Sequence, residues 1–578
     1  MNTPPAPRVP RFLFVSPHLP YAKASVDDDN IDYFYYRNTL DQGLFQLRQL
    51  HSWHPLHFLA QNLPVDAVVL ENPTWKDFTR EIDRGAYDVV AISFTVVLTG
   101  KVLEMVTWLR TRHPHLEIIL GGYGTAIFDE HFGIEQEIAS RVDHICRGEG
   151  LSFLRDYLAR RWGVRGESPL RQDLVPTTNG VFRSRVSIYD QLAFVSELGC
   201  RNGCVFCATS SHFARCKIPI AVGEGLYQVI REQAGRHPRA RSAIVYSENF
   251  LDDREQVLTF MRCMEQDREL AQRPLLLTIF SSVRSIAQYS VSELVRCGVG
   301  TIFVGVESFR REILDGESLD KRQGNVAELF EKLHRAGINT LGSMVVGWDG
   351  HTPENIGAEL DAFVGLNPTF YQIVPLHPVP GTPLWQRIRR EGRLIDGYRY
   401  QDDGAARSNF AFKHFDMAQV DGLVRSTYRR LVDEGGPWPF RLCHNLWQGA
   451  RDLAHSDDEA LRRRARALER MVRSVLPMAL ASGLLFRGSG FQRRWRSFVA
   501  ELWRARPWLV VAMSLLACVQ IPALSLLSLA GRLRFALLRH GDQPATVRRR
   551  FQNADGALLA DEATAPIPKL QESANVPR

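Results

Sequence analysis

The chain has 578 residues, of which 45% are hydrophobic and 23% charged, with nine cysteines and a formal net charge of +7. That length exceeds what one hydrophobic core organises and predicts about three domains, and the ordinary globular composition excludes a fibrous or wholly disordered chain. Between Arg487 and Arg550 twelve arginines face only Glu501 and Asp542, a local +10 that leaves about −3 for the remainder. The basic character therefore belongs to the C-terminal region, and no nucleic-acid partner is expected. Cysteines without regular pairing, and a polar, Pro-rich start without an apolar run, point to a reducing, cytoplasmic setting.

Residues 1–165 read as an α/β unit. Arg11-Phe-Leu-Phe-Val-Ser, Ala67-Val-Val-Leu and Asp88-Val-Val-Ala-Ile-Ser-Phe are short apolar strands, 99–112 has helical periodicity, and Glu117-Ile-Ile-Leu-Gly-Gly-Tyr-Gly is a further strand ending in glycines. Continuous apolar strands alternating with helices predict a buried parallel sheet. The glycine-rich segments 121–124 and 147–150 then fall beyond strand carboxyl ends, where such sheets bind ligands; tight turns use the same residues.

Residues 166–190, mixed polar with scattered Gly, Pro and Asn, read as a linker. From 191 to 385 the strand–helix rhythm resumes with Leu192-Ala-Phe-Val-Ser, Ser242-Ala-Ile-Val-Tyr-Ser-Glu-Asn-Phe, Leu275-Leu-Leu-Thr-Ile-Phe-Ser-Ser, Thr301-Ile-Phe-Val-Gly-Val-Glu-Ser, Asn339-Thr-Leu-Gly-Ser-Met-Val-Val-Gly and Phe370-Tyr-Gln-Ile-Val-Pro-Leu. Six such strands predict a (β/α)6 partial barrel with its catalytic groups at the strands' C-terminal ends.

The first of these strands delivers Glu197-Leu-Gly-Cys-Arg-Asn-Gly-Cys-Val-Phe-Cys. Cys200, Cys204 and Cys207 put three thiolates on one short loop, enough for three corners of an iron–sulfur cubane. Clusters of the [4Fe–4S] type normally take four cysteines, so a site offering three leaves one iron open to chemistry. Gly199 and Gly203 let the backbone fold around an inorganic core. A zinc site would call for a second CxxC or a Cys/His pair, which the sequence lacks.

This spacing resembles the radical SAM superfamily. The resemblance implies that Cys200, Cys204 and Cys207 hold a [4Fe–4S] cluster whose fourth iron is chelated by S-adenosylmethionine. It further implies reductive cleavage to a 5′-deoxyadenosyl radical, fed by an external electron donor of the flavodoxin or ferredoxin type. By the same resemblance Phe206 lies against the adenine, while Gly305, Glu307 and Ser308 on the fourth strand and Glu248 on the second contact S-adenosylmethionine. The turns Gly347-Trp348-Asp349-Gly350 and Pro380-Gly-Thr-Pro383 are similar to backbone-shaping elements of that family. Upstream, Phe14-Val-Ser-Pro, Pro55-Leu-His-Phe-Leu-Ala, Asp88-Val-Val-Ala-Ile-Ser, Gly121-Gly-Tyr-Gly-Thr125 and Gly148-Glu-Gly150 resemble the cobalamin-binding domain that precedes many radical SAM cores. That implies a Rossmann-like fold with cobalamin contacts from Gly121, Gly122, Thr125, Gly148 and Glu149. The DxHxxG motif of other cobalamin proteins is absent, because Asp143-His144 lacks its spacing, so cobalt without a histidine ligand is expected.

The function implied is that of a cobalamin-dependent radical SAM methyltransferase acting at an unactivated carbon of a small-molecule substrate. A radical cyclase or rearrangement enzyme with the same cofactors is the alternative, and a non-catalytic, membrane-attached cobalamin sensor a second. Cys216 and Cys297 stand as candidate auxiliary nucleophiles against the simpler reading of free core cysteines.

Residues 386–475 are predicted to form a helical extension packed over the open side of the barrel. Within 476–545, Pro507–Gly531 carries no charge and is flanked by Arg504, Arg506, Arg532 and Arg534. The run exceeds the ~20 residues needed to cross a bilayer, whereas 475–486 is too short. Gln520 and Pro522 interrupt it and arginines lie on both sides. An interfacial or re-entrant attachment to a membrane surface is therefore preferred over a span, with a lipid or isoprenoid substrate as the associated expectation; a buried hairpin is the alternative. The polar segment 546–578 is expected to be disordered.

Overall fold

The computed structural model describes residues 8–559 apart from 22, 26–27, 30–38, 40, 51, 131, 167–169, 182–186, 273, 314–324, 401–407, 538–542 and 555–557. Its first half begins with β1 (Phe12–Val15), β2 (Leu47–Leu50), α1 (His54–Gln61), β3 (Ala67–Glu71), β4 (Val89–Ser93), α2 (Thr99–Arg112), β5 (Glu117–Gly121), β6 (His144–Ile145) and α3 (Gly150–Tyr157). β1 lies between β3 and β4, Leu13 beside Val68 on one side and Val90 on the other, and β5 and β6 extend the parallel sheet. Every residue of β1 and β3 is buried, which is why these strands read as unbroken apolar runs. Phe14 and Val69 join one core layer with Leu56 and Leu154, and Leu13 and Val68 join the other with Met105 and Leu109. The strand order reverses between β1 and β4, the position at which open α/β sheets bind ligands.

The second sheet continues with β7 (Thr177–Val181), β8 (Ser187–Val195), the single-turn α4 (Ala208–His212), β9 (Ser242–Tyr246), β10 (Leu276–Ser282), β11 (Val299–Glu307), β12 (Asn339–Val346) and β13 (Phe370–Pro375). β8 to β13 pair in parallel and in chain order, the six-stranded open barrel that the sequence predicts. Two antiparallel strands, β7 and then β2, extend it beyond β8. The segment 166–190 is thus no simple linker, and residues 47–50 serve the barrel sheet although they lie within the first 165 residues. β7 lies between β8 and β2 and buries the polar side chains of Thr177 and Asn179, so the run Thr177-Thr-Asn-Gly carries no apolar strand signal.

After the barrel come α5 (Met417–Gly435), α6 (Trp438–Ala454), α7 (Glu459–Leu485), α8 (Ser489–Ala505), α9 (Pro507–Leu537) and the strand β14 (Val547–Phe551). α5 places Val420, Val424, Tyr428 and Leu431 in the barrel core. α6 buries Arg441, whose guanidinium donates to the carbonyls of Pro368 and Gly436, both at 2.7 Å, and sits 5.2 Å from the centre of the Tyr371 ring. The apolar run Pro507–Gly531 forms one continuous helix through Pro522, which overturns both the hairpin and the re-entrant reading. The tail also departs from expectation, because residues 547–551 pair antiparallel with β3. Arg548 and Arg549 of this strand pair with Glu81 and Asp173, so an arginine-rich segment covers an open sheet edge through its backbone.

Gly449 of α6 meets the backbone before β12 so closely that a Cβ would stand 2.4 Å from the Gly337 Cα. Gly449→Ala is expected to cost about 1–3 kcal/mol by overpacking, read as a lower thermal midpoint. Gly422→Ala on exposed α5, with nothing within 4 Å of the new methyl, should leave the midpoint unchanged or raised.

Candidate active site

The carboxyl ends of both sheets open on one cleft of about 680 Å³. Phe14, Trp53, Ser93, Gly121, Gly122 and Gly148 line it from the first sheet, and Gly199, Phe213, Tyr246, Glu248 and Phe280 from the barrel. Apolar and aromatic side chains dominate both walls, as in most small-molecule sites. Burial pushes the Tyr246 hydroxyl up to about 12, so it is a neutral donor at pH 7.

The cysteine loop leaves the end of β8 through Gly199 and Gly203, both in the left-handed region at φ 77° and 68°. A Cβ on Gly199 would stand 2.2 Å from the Cys216 carbonyl oxygen, so conformation and space both demand glycine. Cys200 and Cys204 are buried and Cys207 is half-buried; the Cys207 N–H donates to the Cys204 carbonyl at 3.0 Å. Burial drives the Cys200 and Cys207 thiols up to about 11, with Cys204 and Glu248 adding unfavourable negative charge. Without a metal Cys200 and Cys207 are therefore neutral thiols, which a cationic iron core would convert to thiolates. Among the described residues no three His, Cys, Asp or Glu side chains are grouped as a single ion requires. A donor set of three cysteines alone fits a [4Fe–4S] cluster better than a zinc ion.

α4, which starts directly after Cys207, touches the first domain twice. The Tyr123 hydroxyl lies 3.2 Å from Thr209 Oγ1, and the Tyr123 ring is 5.0 Å from that of His212. His212 in turn hydrogen-bonds the Gly148 backbone. Thr209 also hydrogen-bonds Glu248, whose carboxyl pKa is raised by the desolvating walls around it even though its side chain is accessible from the cleft. Both glycine segments, the cysteine loop and the end of β9 thus meet around one helical turn.

Phe206 stands apart from the cleft lining, edge-on to Trp348 at 5.4 Å, and Trp348 Nε1 donates to the Glu307 carbonyl at 3.4 Å. Glu307 is buried and ends β11 at φ 62°, a left-handed conformation that carries strain for a residue with a side chain. Phe206 and Glu307 therefore share a wall, with Trp348 between them.

Other candidates have structural partners. The Ser308 hydroxyl donates to Glu359, which also accepts the Phe309 N–H at 2.9 Å and faces His351 Nε2 at 3.2 Å. Burial alone would raise Glu359, but the bonds from His351 and Ser308 outweigh it and hold the carboxyl low. Gly305 lies within β11 beside Ser282 and Ser343. Thr125 is buried and donates to the Gly122 carbonyl at 2.8 Å, fixing the glycine turn. The Glu149 carboxylate accepts the N–H groups of Leu151 and Ser152 as the N-cap of α3, so its charge is engaged within the chain. At Gly122, φ 87°, a Cβ would stand 2.8 Å from the Phe94 carbonyl oxygen.

Sequence reasoning missed the buried pair behind the cysteine loop. Lys217 lies 3.0 Å from Glu197, which accepts the Ser247 hydroxyl at 2.8 Å. No spacing links these three positions, so no sequence signal was available. Cys297 is fully buried with its thiol pKa driven up by desolvation, and exposed Cys216 is not among the residues lining the cleft.

Residues 198–362 match the family profile of the radical SAM superfamily. Among curated proteins, an uncharacterized methyltransferase of Pyrococcus horikoshii is 23% identical over 391 residues, covering 62% of this chain and 81% of that one. The hopanoid C-2 methylase of Rhodopseudomonas palustris is 25% identical over 225 residues, 37% of this chain and 40% of that one. The bacteriochlorophyllide d C-12(1)-methyltransferase of Chlorobaculum tepidum is 22% identical over 329 residues, 55% and 69% respectively. In structure the chain is similar in fold to the radical S-adenosylmethionine methyltransferase TsrM of Kitasatospora setae, solved with its tryptophan substrate and a SAM analogue. The TM-score is 0.51 at 14% identity, covering 81% of this chain and 99% of that one.

Glu248→Gln removes a negative charge that acts on both Cys200 and Cys207. In the metal-free protein their pKa should fall, and alkylation by iodoacetamide at pH 8 should become roughly two- to fivefold faster, followed by mass spectrometry of the loop peptide.

Proposed function

We propose that the chain, whose residues 198–362 match the radical SAM profile, is a cobalamin-dependent radical SAM methyltransferase acting on a carbon of an apolar small molecule. One observation carries the reading: the glycine-marked ends of a Rossmann-like sheet and Gly199, where the three-cysteine loop leaves β8, line the same cleft, and Thr209 of α4, the turn that follows Cys207, meets Tyr123 of the first sheet's domain. The methyltransferase names of the curated relatives support the reaction class.

The residues present fit both groups. The floor beside Gly121, Gly122 and Gly148 carries no side chains, and a Cβ on Gly148 would meet nothing within 4 Å. The two histidines of the cleft already bond to backbone, His54 to the Val175 carbonyl at 2.9 Å and His212 to Gly148. This accords with cobalt held without a histidine ligand. When bound, the cluster and the cobalamin supply electron transfer to S-adenosylmethionine and transfer of a methyl group.

The chain's own part is to hold and orient. Cys200, Cys204 and Cys207 would hold the cluster, and Glu248, within the field of both outer thiols, would accept the ammonium of S-adenosylmethionine. Phe206 backed by Trp348 would take the adenine, with Glu307 beside it. The apolar walls contributed by Phe14, Trp53 and Phe280 exclude water, so a reactive carbon centre meets few competing groups. An external one-electron donor of the flavodoxin or ferredoxin type completes the scheme.

Anaerobic reconstitution with iron, sulfide, cobalamin, S-adenosylmethionine and reductant is expected to give both 5′-deoxyadenosine and S-adenosylhomocysteine; deoxyadenosine alone would assign the chain to cyclisation or rearrangement. Cys204→Ala should lose the iron–sulfur absorption and both products yet retain cobalamin. Gly122→Val should do the reverse, losing bound cobalamin while keeping the cluster absorption.

A further inference from the structure

The helix α9 is unused by the chemistry above. Its segment Pro507–Gly531 has a mean hydropathy of 2.2 over its most apolar window, and only 11% of that window is buried. A core helix of a soluble protein would be mostly buried. One face is docked: Val510 packs with Leu476 and Leu502, and Ala517, Ile521 and Leu524 pack with Phe45, Leu47 and Trp438. The opposite face exposes Trp508, Leu515, Val519, Leu526, Leu529 and Leu533, spaced by three, four and seven residues as one stripe of a helix.

Both ends of α9 are tied to one body. Before it, α8 buries Phe498 and Leu502 in the helical core. After it, Gln543 accepts the Tyr21 N–H and the Thr546 hydroxyl donates to the Asn72 carbonyl, each at 2.9 Å, before β14 pairs with β3. A helix crossing a bilayer would part these ends by the ~30 Å hydrocarbon thickness and drag the docked face, with Trp438, into lipid. The preceding helix exposes Arg493, Arg496 and Arg504, with exposed Trp503 among them. A second copy of the chain would set arginine against arginine, whereas anionic headgroups match the arginines and the interfacial tryptophans.

We propose that α9 is a monotopic anchor that lies in the plane of an anionic membrane, its Trp508–Leu533 stripe in the acyl boundary and both flanks on the same side. Tyr21 and Asn72, which hold the returning chain, line the cleft, so the anchor sets the cleft beside the lipid surface and an apolar substrate has a short path to it. The docking is independent of the reaction proposed above, and its test needs no turnover.

Full-length protein is floated with vesicles of phosphatidylcholine alone or with a third phosphatidylglycerol. Flotation is expected with the anionic vesicles and at least fivefold less with the neutral ones. Leu515→Glu/Leu526→Glu, shown folded by circular dichroism, should no longer float. On anionic vesicles a membrane-impermeant maleimide should label cysteines introduced as Ala505→Cys and Gln552→Cys equally, while exposed Cys518 becomes shielded in the unsubstituted chain. No flotation, equal flotation with both vesicle types, flotation of the double variant, an accessible Cys518, or protection of only one flanking cysteine would overturn the proposal.

Discussion

The absence of a side chain at Gly199 is the constraint on which the rest of the site depends. Its Cβ would collide with the Cys216 carbonyl at 2.2 Å and the Phe213 Cβ at 2.8 Å, so only glycine lets the cysteine loop fold back on the segment that follows it. That return packs α4 beneath the loop, and α4 carries Thr209 and His212 to Tyr123 and Gly148 of the other domain. Gly122 answers from the opposite side, its turn pressed against Phe94 and pinned by the Thr125 hydroxyl. The two domains therefore meet through backbone shape. Among the described residues an ion pair also links them, joining the half-exposed Arg389 to the buried carboxylate of Glu130.

Electrostatics then sorts the residues gathered there. Three thiols, the Glu248 carboxyl and the Tyr123 hydroxyl crowd one turn of helix, and desolvation is the leading cause of the upward shift at Cys200, Cys207, Glu248 and Tyr123 alike. Every such shift favours the neutral form of the group. A pocket that suppresses its own negative charge is poised for a cationic occupant, and an iron core or a sulfonium with an ammonium has that character. By contrast Glu197 has its counter-ion Lys217 built in, and Glu359 has His351 and Ser308. The charge balance separates Glu197 and Glu359, paired within the fold, from Glu248 at the cleft.

The legible parts of the sequence were those in which burial itself writes the pattern. β1, β3, β4 and β5, like the parallel barrel strands, are covered on both faces, so their apolar runs reveal them, and the cysteine spacing marks its loop directly. β2 and β14 escaped because an edge strand is secured by backbone hydrogen bonds, which leave no trace in residue type, and β7 because the side chains it buries, Thr177 and Asn179, are polar; β14 even reads as a basic tail. Roles were less legible than elements. Ser308, Thr125 and Glu149 were named from motif resemblance, and each side chain is engaged within the chain: Thr125 by the Gly122 carbonyl and Glu149 by the α3 amides close by in sequence, and Ser308 by Glu359, which only the fold brings near. Trp348, seen in sequence as part of a turn, proves to be the link between Phe206 and Glu307.

For the C-terminal helix, magnitudes decide which feature governs attachment. A fully transferred Leu or Val gains about 1.5–3 kcal/mol, so a stripe of six large apolar side chains outweighs the ~1 kcal/mol that each arginine gains near an anionic surface. In the proposed attachment the apolar stripe would therefore set depth and strength, and the arginines the choice of lipid. The same stripe would be a liability in water. Its retention beside a cleft with apolar walls follows if both surfaces serve one path, with substrate partitioning into the bilayer first and meeting the cleft from its edge. Gln543 and Thr546, which follow α9, bond to Tyr21 and Asn72 of the cleft lining, so the proposed path would start where the chain returns from the helix to the cleft wall.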